Sequence, residues 1–500
     1  MQSTKIVFDC SQRFLRCDSA NVFFFQPLLG SMKQNRVDTC IIGGGLAGLY
    51  IANADICKSG KLVVLETSSS CGGRIRSVYD DSKSNLLYES GPWRIPSSHH
   101  RVLELFRKFD IKLAHLRTPT VHQAKQESKR GLSIWESNAI HKQNPHEADR
   151  QDLGTGYAGE TSAAAGTTPY ITGADKYYVA VRGFSAIVDA LVKRVRGSIL
   201  TDAGVYDVQR KHKSYLVKYL SRKDGKITRR ELITSTLFVC VPPSSCKTWQ
   251  IFTQFARAQM AAVQSSCLNH IYVNAPNMTG FHQKSPSSLL GQSIGDQYDT
   301  DFFQASYSSG RLARMWYNLR LSQPVQYIRL LGQQLFSELG VVFPALASKV
   351  RSHFWEVAFH MWLPTPKFDV NRLVRLCVTP NRAHLPFVYV AGEAFSSHQA
   401  WMEGALETAE LAIRSYENDR EGESHVNDDD VFSKRSVTKL DTLVVEGRVC
   451  DVTAWKHVHP GTITAIENHM GEDVTDLFAL INHSQNAWAQ VLSLQVGWAK

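Results

Sequence analysis

The chain has 500 residues, 43% hydrophobic and 20% charged, with a formal net charge of +10. The length exceeds one ordinary core and predicts two or three domains, in globular proportions. No apolar run approaches the roughly 20 residues that a membrane-spanning helix needs. The Lys and Arg are scattered, with no zinc-finger spacing, RNP-like strand or basic helix, so nucleic acid is not an expected partner.

The 10 cysteines are spread out, with no CxxC pair and no CxxCH for covalent haem. That favours a reducing compartment, and an intracellular, soluble protein is expected. Residues 1–36 hold the short apolar stretch "NVFFFQPLLG". Arg13 and Arg16 suit a transit peptide, whereas Asp9 and Asp18 oppose one, so this segment is an extension of unknown role.

From residue 37 the elements follow in order. An apolar strand (37–42) runs into "GGGLAG", then an apolar helix (46–56) and a second strand (61–66). This is a β-α-β unit of the size that a parallel crossover requires. "HHRVLELFRKFDI" (99–111) has helical spacing. Residues 117–175 are polar and rich in Gly, Thr and Ala, predicting a long loop. "GFSAIVDALVKRV" reads as an amphipathic helix, and 200–243 as three strands. Residues 265–363 mix strands and helices into a separate layer. "PFVYVAGEAF" returns to a buried strand before the helix "GALETAELAIRSY". A charged, apolar-poor linker (417–436) precedes a compact tail (437–500).

Gly43-x-Gly45-x-x-Gly48 fits a dinucleotide fingerprint. The first glycine permits the tight turn, the second lets backbone approach a pyrophosphate, and the third allows helix to pack on strand. Glu66 closes the second strand, where a carboxylate can accept a ribose hydroxyl hydrogen bond.

Around this turn lie "GGRIRS" (72–77), "ESGPWRIPSSHHRVLELFRKFDIKL" (89–113) and "AGEAFSSHQAWMEGALETAELA" (391–412). Together they resemble the flavin-containing amine oxidase family, and the "GPWRIP" segment is most similar to L-amino-acid oxidases. The resemblance spans about 37–416 and implies an α/β fold. A Rossmann-like FAD-binding domain, built from segments about 37–115 and 383–416, would carry a mixed α+β substrate domain between them. It implies noncovalent FAD, because no cysteine stands near Ser397. Gly43, Gly45, Leu46, Ala47 and Gly48 would face the pyrophosphate, Glu66 with Thr67 the adenosine ribose, and Val205 the adenine. Arg74 and Gly91, Pro92, Trp93 and Arg94 would line the cofactor. Glu393 and Ala400, Trp401, Met402, Glu403, Gly404 and Ala405 would meet the ribityl-flavin end.

In the L-amino-acid oxidases an arginine matching Arg94 binds the substrate carboxylate, a task suited to its planar fork. Arg94 could equally hold FAD phosphate or a structural acid. Trp401 matches the aromatic that flanks the substrate amine; the alternative is a core tryptophan. Where the family places a lysine, His270 stands, and its charge is expected to vary near neutral pH. That puts reaction with dioxygen in doubt more than hydride transfer. His360 and Trp362 either line the pocket or belong to a packed strand.

The tail contains "GRVCDVTAWKHVHPG" and "MGEDVTDLFALINHS". These resemble the cytochrome b5 family, a small α+β fold binding haem b. The resemblance makes His459 and His483 the axial ligands, a saturated iron suited to electron transfer. Thr462 replaces the usual second glycine, and His457 and His469 are expected to be solvated. The expected function is FAD-dependent oxidation of a small-molecule amine or L-amino acid, with the tethered haem or another electron-transfer partner as acceptor. The alternatives are a desaturase-type flavoenzyme on an apolar substrate, and a non-catalytic flavin- and haem-binding paralogue.

Overall fold

A computed structural model describes residues 35–115, 177–252, 263–275, 301–362, 370–421 and 441–481 with short gaps, 282–283, 294–296 and 431–432, and parts of 487–499. The N-terminal extension up to residue 34 and the whole 117–175 excursion lie outside the described residues. Among the described residues, no helix is long and apolar enough to cross a membrane.

Strand β1 (Asn35–Ile42) leads through the glycine turn into helix α1 (Leu46–Ala52) and strand β2 (Leu62–Leu65). β1 and β2 pair in parallel, as predicted. α1 is shorter than the expected helix. Asn53 ends it, donating Nδ2 hydrogen bonds to the carbonyls of Leu49 (2.8 Å) and Leu191 (3.1 Å). The predicted amphipathic helices form as α2 (His100–Lys108) and α3 (Ser185–Val192).

β3 (Ser198–Leu200) extends the sheet beyond β2. An antiparallel meander follows, β4 (Ala203–Lys211), β5 (Ser214–Lys223) and β6 (Lys226–Val239). Asp224 (φ 49°) and Gly225 (φ 74°) make the tight two-residue turn between the last two. The sheet runs β3-β2-β1-β6-β5-β4. Its parallel strands are apolar on both faces because both are covered, hence the unbroken runs "CII" and "LVVL".

The second layer is an antiparallel sheet centred on β7 (Val263–Asn274), flanked by β8 (Phe302–Ser309) and β9 (Val350–Trp362). Helices α4 (Gly310–Ser322) and α5 (Pro324–Leu339) cover one face through Ile271, Val273, Phe303, Trp316 and Leu331. Helix α6 (Val370–Val378) then leads to β10 (Val388–Val390), which pairs in parallel with β6. Helix α7 (Met402–Glu421) packs back onto α1.

The tail folds around the hairpin β11 (Thr442–Val445) and β12 (Arg448–Asp451), with β13 (Gln495–Ala499) paired to β12. Two differences from the sequence reading fall in the segment taken as a linker. α7 runs on to Glu421, and Val431–Phe432 forms a short strand beside β13. The partners of that strand lie more than sixty residues downstream, so local composition carries no sign of it.

Candidate functional site

The carboxyl ends of β1, β2, β6 and β10 lie side by side, where ligands bind in sheets of this kind. Gly43 N–H bonds the Leu65 carbonyl (2.8 Å), Cys240 N–H that of Ile42 (2.7 Å) and Ala391 N–H that of Val239 (3.0 Å). The three fingerprint glycines have different duties. Gly43 takes a left-handed φ of 105°, and a Cβ there would meet the Cys240 carbonyl oxygen at 2.5 Å. A Cβ on Gly48 would sit 2.0 Å from the Gly43 carbonyl oxygen. A Cβ on Gly45 would meet nothing within 4 Å, so this glycine borders open space. Leu46 and Ala47 are buried immediately behind it.

Glu66 is tied to the turn: Oε2 accepts from Gly44 N–H (2.7 Å) and Oε1 from Ser68 N–H (2.8 Å). Ala203 N–H bonds the Glu66 carbonyl (2.8 Å), and a Cβ on Gly204 would touch Thr67 Oγ1 at 3.0 Å. The structure therefore gathers Glu66, Thr67 and the strand bearing Val205 at one end of the edge.

At the other end, Glu393 is only 6% exposed. Arg74 Nη1 donates to Glu393 Oε1 (2.5 Å) and to the Ala358 carbonyl (2.9 Å). His360 Nδ1 shares that carboxylate oxygen (2.5 Å), and Ala400 N–H donates to Oε2 (2.9 Å). Burial alone would raise the Glu393 pKa; the Arg74 charge, His360 and these hydrogen bonds hold it at about 2. Gly91 presses on the same arginine, for a Cβ there would sit 2.0 Å from the Arg74 carbonyl oxygen. Gly404 packs likewise against Ser396 and His398, beside buried Met402 and partly buried Ala405. The Glu403 carboxylate is directed elsewhere. It accepts from the N–H groups of Arg101 (3.2 Å) and Val102 (3.0 Å) at the start of α2, and pairs with Arg101 Nη1 (3.0 Å). Trp362 is a buried strand residue whose Nε1 donates to the Ser396 carbonyl (2.9 Å), so it holds this loop.

Arg94 and Trp401, far apart in sequence, come together. The Arg94 guanidinium carbon lies 4.7 Å from the centres of the Trp93 and Tyr177 rings and 5.9 Å from that of Trp401. Ring faces attract a cation without neutralising it. Among the described residues, no carboxylate lies within ion-pair distance of Arg94. Pro92 and Trp93 are half-buried in the same segment. Trp401 also meets the buried His99 ring edge-on at 5.0 Å. Burial and two neighbouring imidazoles pull His99 down to about 3, so it is neutral there.

The wall formed by β7, β8 and β9 is polar and buried. His270 is fully buried; its Nδ1 lies 3.2 Å from the Tyr272 hydroxyl and 3.3 Å from Gln304 Nε2, and its Nε2 has no partner. The same is true of Nε2 on His353, its register partner across β7 and β9. Burial, reinforced by His353, lowers the His270 pKa to about 3. This corrects the expectation of a charge that varies near neutral pH: desolvation keeps this imidazole neutral. Two anchors join the wall to the Arg94 segment. The Tyr272 hydroxyl donates to the Glu89 carbonyl (2.5 Å), and the Trp355 indole to that of Ser90.

Residue reading missed Glu89, Tyr177 and His353. Glu89 is wholly buried, with Oε1 accepting from Ser77 Oγ (2.8 Å) and Phe184 N–H (2.7 Å) and Oε2 unpartnered. Burial outweighs those bonds and raises its pKa to about 8. An acid at the buried end of its strand was a usable signal. Tyr177 arrives across a long excursion and gave none.

In the tail, His459 Nδ1 lies 3.2 Å from the Thr462 carbonyl oxygen. Donation to that carbonyl puts the lone pair on Nε2, the arrangement usual for a metal-ligating imidazole. A Cβ on Gly461 would sit 2.8 Å from His459 Cε1, so glycine leaves room for the ring. Thr462, where the family pattern has glycine, does adopt a left-handed φ of 80°, an uncommon conformation for a β-branched residue. His469 is paired with Glu472 at 2.8 Å. His483 lies outside the described residues. The residues present fit both groups: an open glycine turn with Glu66 and the Arg74–Glu393 pair for FAD, and an oriented His459 for haem.

Comparison with known proteins agrees with this division. The family model for flavin-containing amine oxidoreductases matches residues 46–150, and that for the cytochrome b5-like heme/steroid binding domain matches 430–500. An L-amino-acid oxidase of Bothrops moojeni is 35% identical over 83 residues, 17% of this chain and 16% of that protein. One of Vipera ammodytes ammodytes is 38% identical over 80 residues, 16% of each. The chain thus matches about one sixth of the length of these relatives. A solved putrescine oxidase variant superposes with a TM-score of 0.51 at 14% identity, covering 78% of this chain and all of that one, which shows the shared fold. Residues 46–150 are thus similar to flavin-containing amine oxidoreductases, and residues 430–500 to cytochrome b5-like domains.

Proposed function

We propose that the protein is an FAD-dependent oxidoreductase that converts an L-amino acid to its imine, and that a bis-histidine haem in its own C-terminal domain takes the flavin's two electrons one at a time and hands each to an external one-electron acceptor. The observation that carries the substrate class is the cationic, aromatic-lined Arg94, with no carboxylate partner among the described residues. Its fork would grip the substrate carboxylate, and Trp401 would flank the amine. FAD, when bound, supplies the acceptor for the substrate's Cα hydride. The residues around it position and desolvate. A neutral amine contributes its lone pair to the C=N bond as hydride leaves, and water then hydrolyses the imine to a 2-oxo acid and ammonia.

Neutral His270 bears on the acceptor. It puts no positive charge in the wall where the family has a lysine, which favours slow reaction with dioxygen. Haem, when bound by His459 and His483, supplies a one-electron acceptor on the same chain.

The test is anaerobic flavin bleaching with matched pairs, each an L-amino acid and the amine left by its decarboxylation. The amino acids are expected to bleach the flavin faster. Faster bleaching by the plain amines would overturn the role of Arg94.

A further inference from the structure

Helix α6 has two apolar faces. Val370, Val374, Cys377 and Val378, at helical spacing, are buried in the main core of the flavin body. Leu376 packs against a different cluster, the core of the C-terminal domain formed by Leu443, Val445, Cys450, Ile466 and Val474. Leu373, one turn away, touches both. Beside this joint lies Arg448 of β12, which is 0% exposed. Its Nη1 lies 3.3 Å from the Glu446 carbonyl and 3.7 Å from the Glu446 carboxylate. Arg448 lies close enough to Cys377 of α6 for each charge to bear on the other. At 0% exposure, Arg448 faces no open, solvated gap. On its far side α6 packs against α7 and against the 393–395 segment, whose Glu393 holds Arg74.

We infer that α6 is a docking helix: its leucines complete the core of the cytochrome b5-like domain, so that this domain works fixed against the flavin body rather than swinging on a tether. The redox half of this statement rests on the proposed relay; the docking half does not. A domain whose core borrows two side chains from its neighbour exposes apolar surface if it leaves. It therefore has a standing reason to stay. A fixed domain transfers electrons at a rate set by the docked geometry, and solvent viscosity has no part in it.

The test uses the full-length protein loaded with FAD and haem. Leu376→Glu places a charge in the joint, and Leu376→Ala, a milder truncation, guards against a variant that fails to fold; retained FAD stoichiometry reports the intact body. Small-angle scattering should show a larger radius of gyration for Leu376→Glu. Amide exchange in β11 and β12 should quicken by at least about tenfold, with a smaller change for Leu376→Ala. Unchanged scattering and exchange in both variants would overturn the docking. In anaerobic stopped flow with substrate, wild-type haem reduction should be indifferent to added sucrose, and that of Leu376→Glu slower and viscosity-dependent. A wild-type rate that falls in proportion to viscosity would overturn the fixed arrangement. If substrate never reduces the haem, the relay fails, and scattering and exchange still decide the docking.

Discussion

The two sides of the candidate site differ in the kind of buried polar group they hold. On the cofactor side every buried carboxylate is engaged: Glu66 by Gly44 and Ser68, Glu393 by Arg74, His360 and Ala400, and Glu403 by the start of α2. On the β7–β9 wall His270 Nε2 and His353 Nε2 are buried without a protein partner, and so is His360 Nε2 beside Glu393. A buried polar atom without a hydrogen bond costs about 1–3 kcal/mol. The carboxylates of the first side are thus held in place by the protein itself, whereas the wall keeps ring nitrogens that no protein group meets.

Breaking the cofactor side should have the largest effect. Gly48→Ala drives a methyl to 2.0 Å from the Gly43 carbonyl oxygen, a backbone atom with no side-chain freedom to yield. A loss on the order of 4 kcal/mol or more is expected by denaturant unfolding. Gly45→Val sharpens the contrast, since nothing lies within 4 Å of the new Cβ. It should fold normally and lose FAD, seen as a colourless protein with native circular dichroism. A Gly45→Val protein that keeps stoichiometric FAD would show that the pyrophosphate does not approach this glycine.

On the substrate side, Arg94→Met should lose about 2–5 kcal/mol of transition-state stabilisation toward L-amino acids, read as a drop in kcat/KM. Plain amines should be far less affected. An equal loss for both would assign the arginine to cofactor or fold.

The motif glycines, Glu66 and the Arg74–Glu393 ends were legible because their chemistry is tied to local spacing in a single turn or loop. Arg94 was legible only as a choice between the substrate carboxylate, FAD phosphate and a structural acid. The ring of Tyr177 that completes its surroundings comes from a strand beyond the long excursion. The neutrality of His270 was not legible either: its charge depends on burial by three strands, and a sequence shows the imidazole without its dielectric. The Glu403 side chain was read toward the flavin from motif position alone, whereas the amides that bind it belong to α2, three hundred residues earlier.

A smaller, pH-dependent effect should come from Glu89. Its folded-state pKa of about 8 lies above the ordinary value of 4.5. The protonated form is the one the fold favours, so its contribution is full below pH 4.5 and is lost as pH rises toward 8. Glu89→Gln, which cannot ionise, should hold its Tm between pH 4.5 and 8, where the wild-type Tm declines. Parallel declines in the two proteins would mean that Glu89 is not the group responsible.

The most direct measurement of the central claim is anaerobic stopped-flow mixing of the holoprotein with an L-amino acid, following the flavin and haem absorbance together. Flavin bleaching should come first and haem reduction second, within single turnovers. His459→Ala should lose the six-coordinate haem spectrum and the second phase while leaving the first unchanged. Haem that stays oxidised over many turnovers, while peroxide forms in air at the same rate in both proteins, would contradict the account.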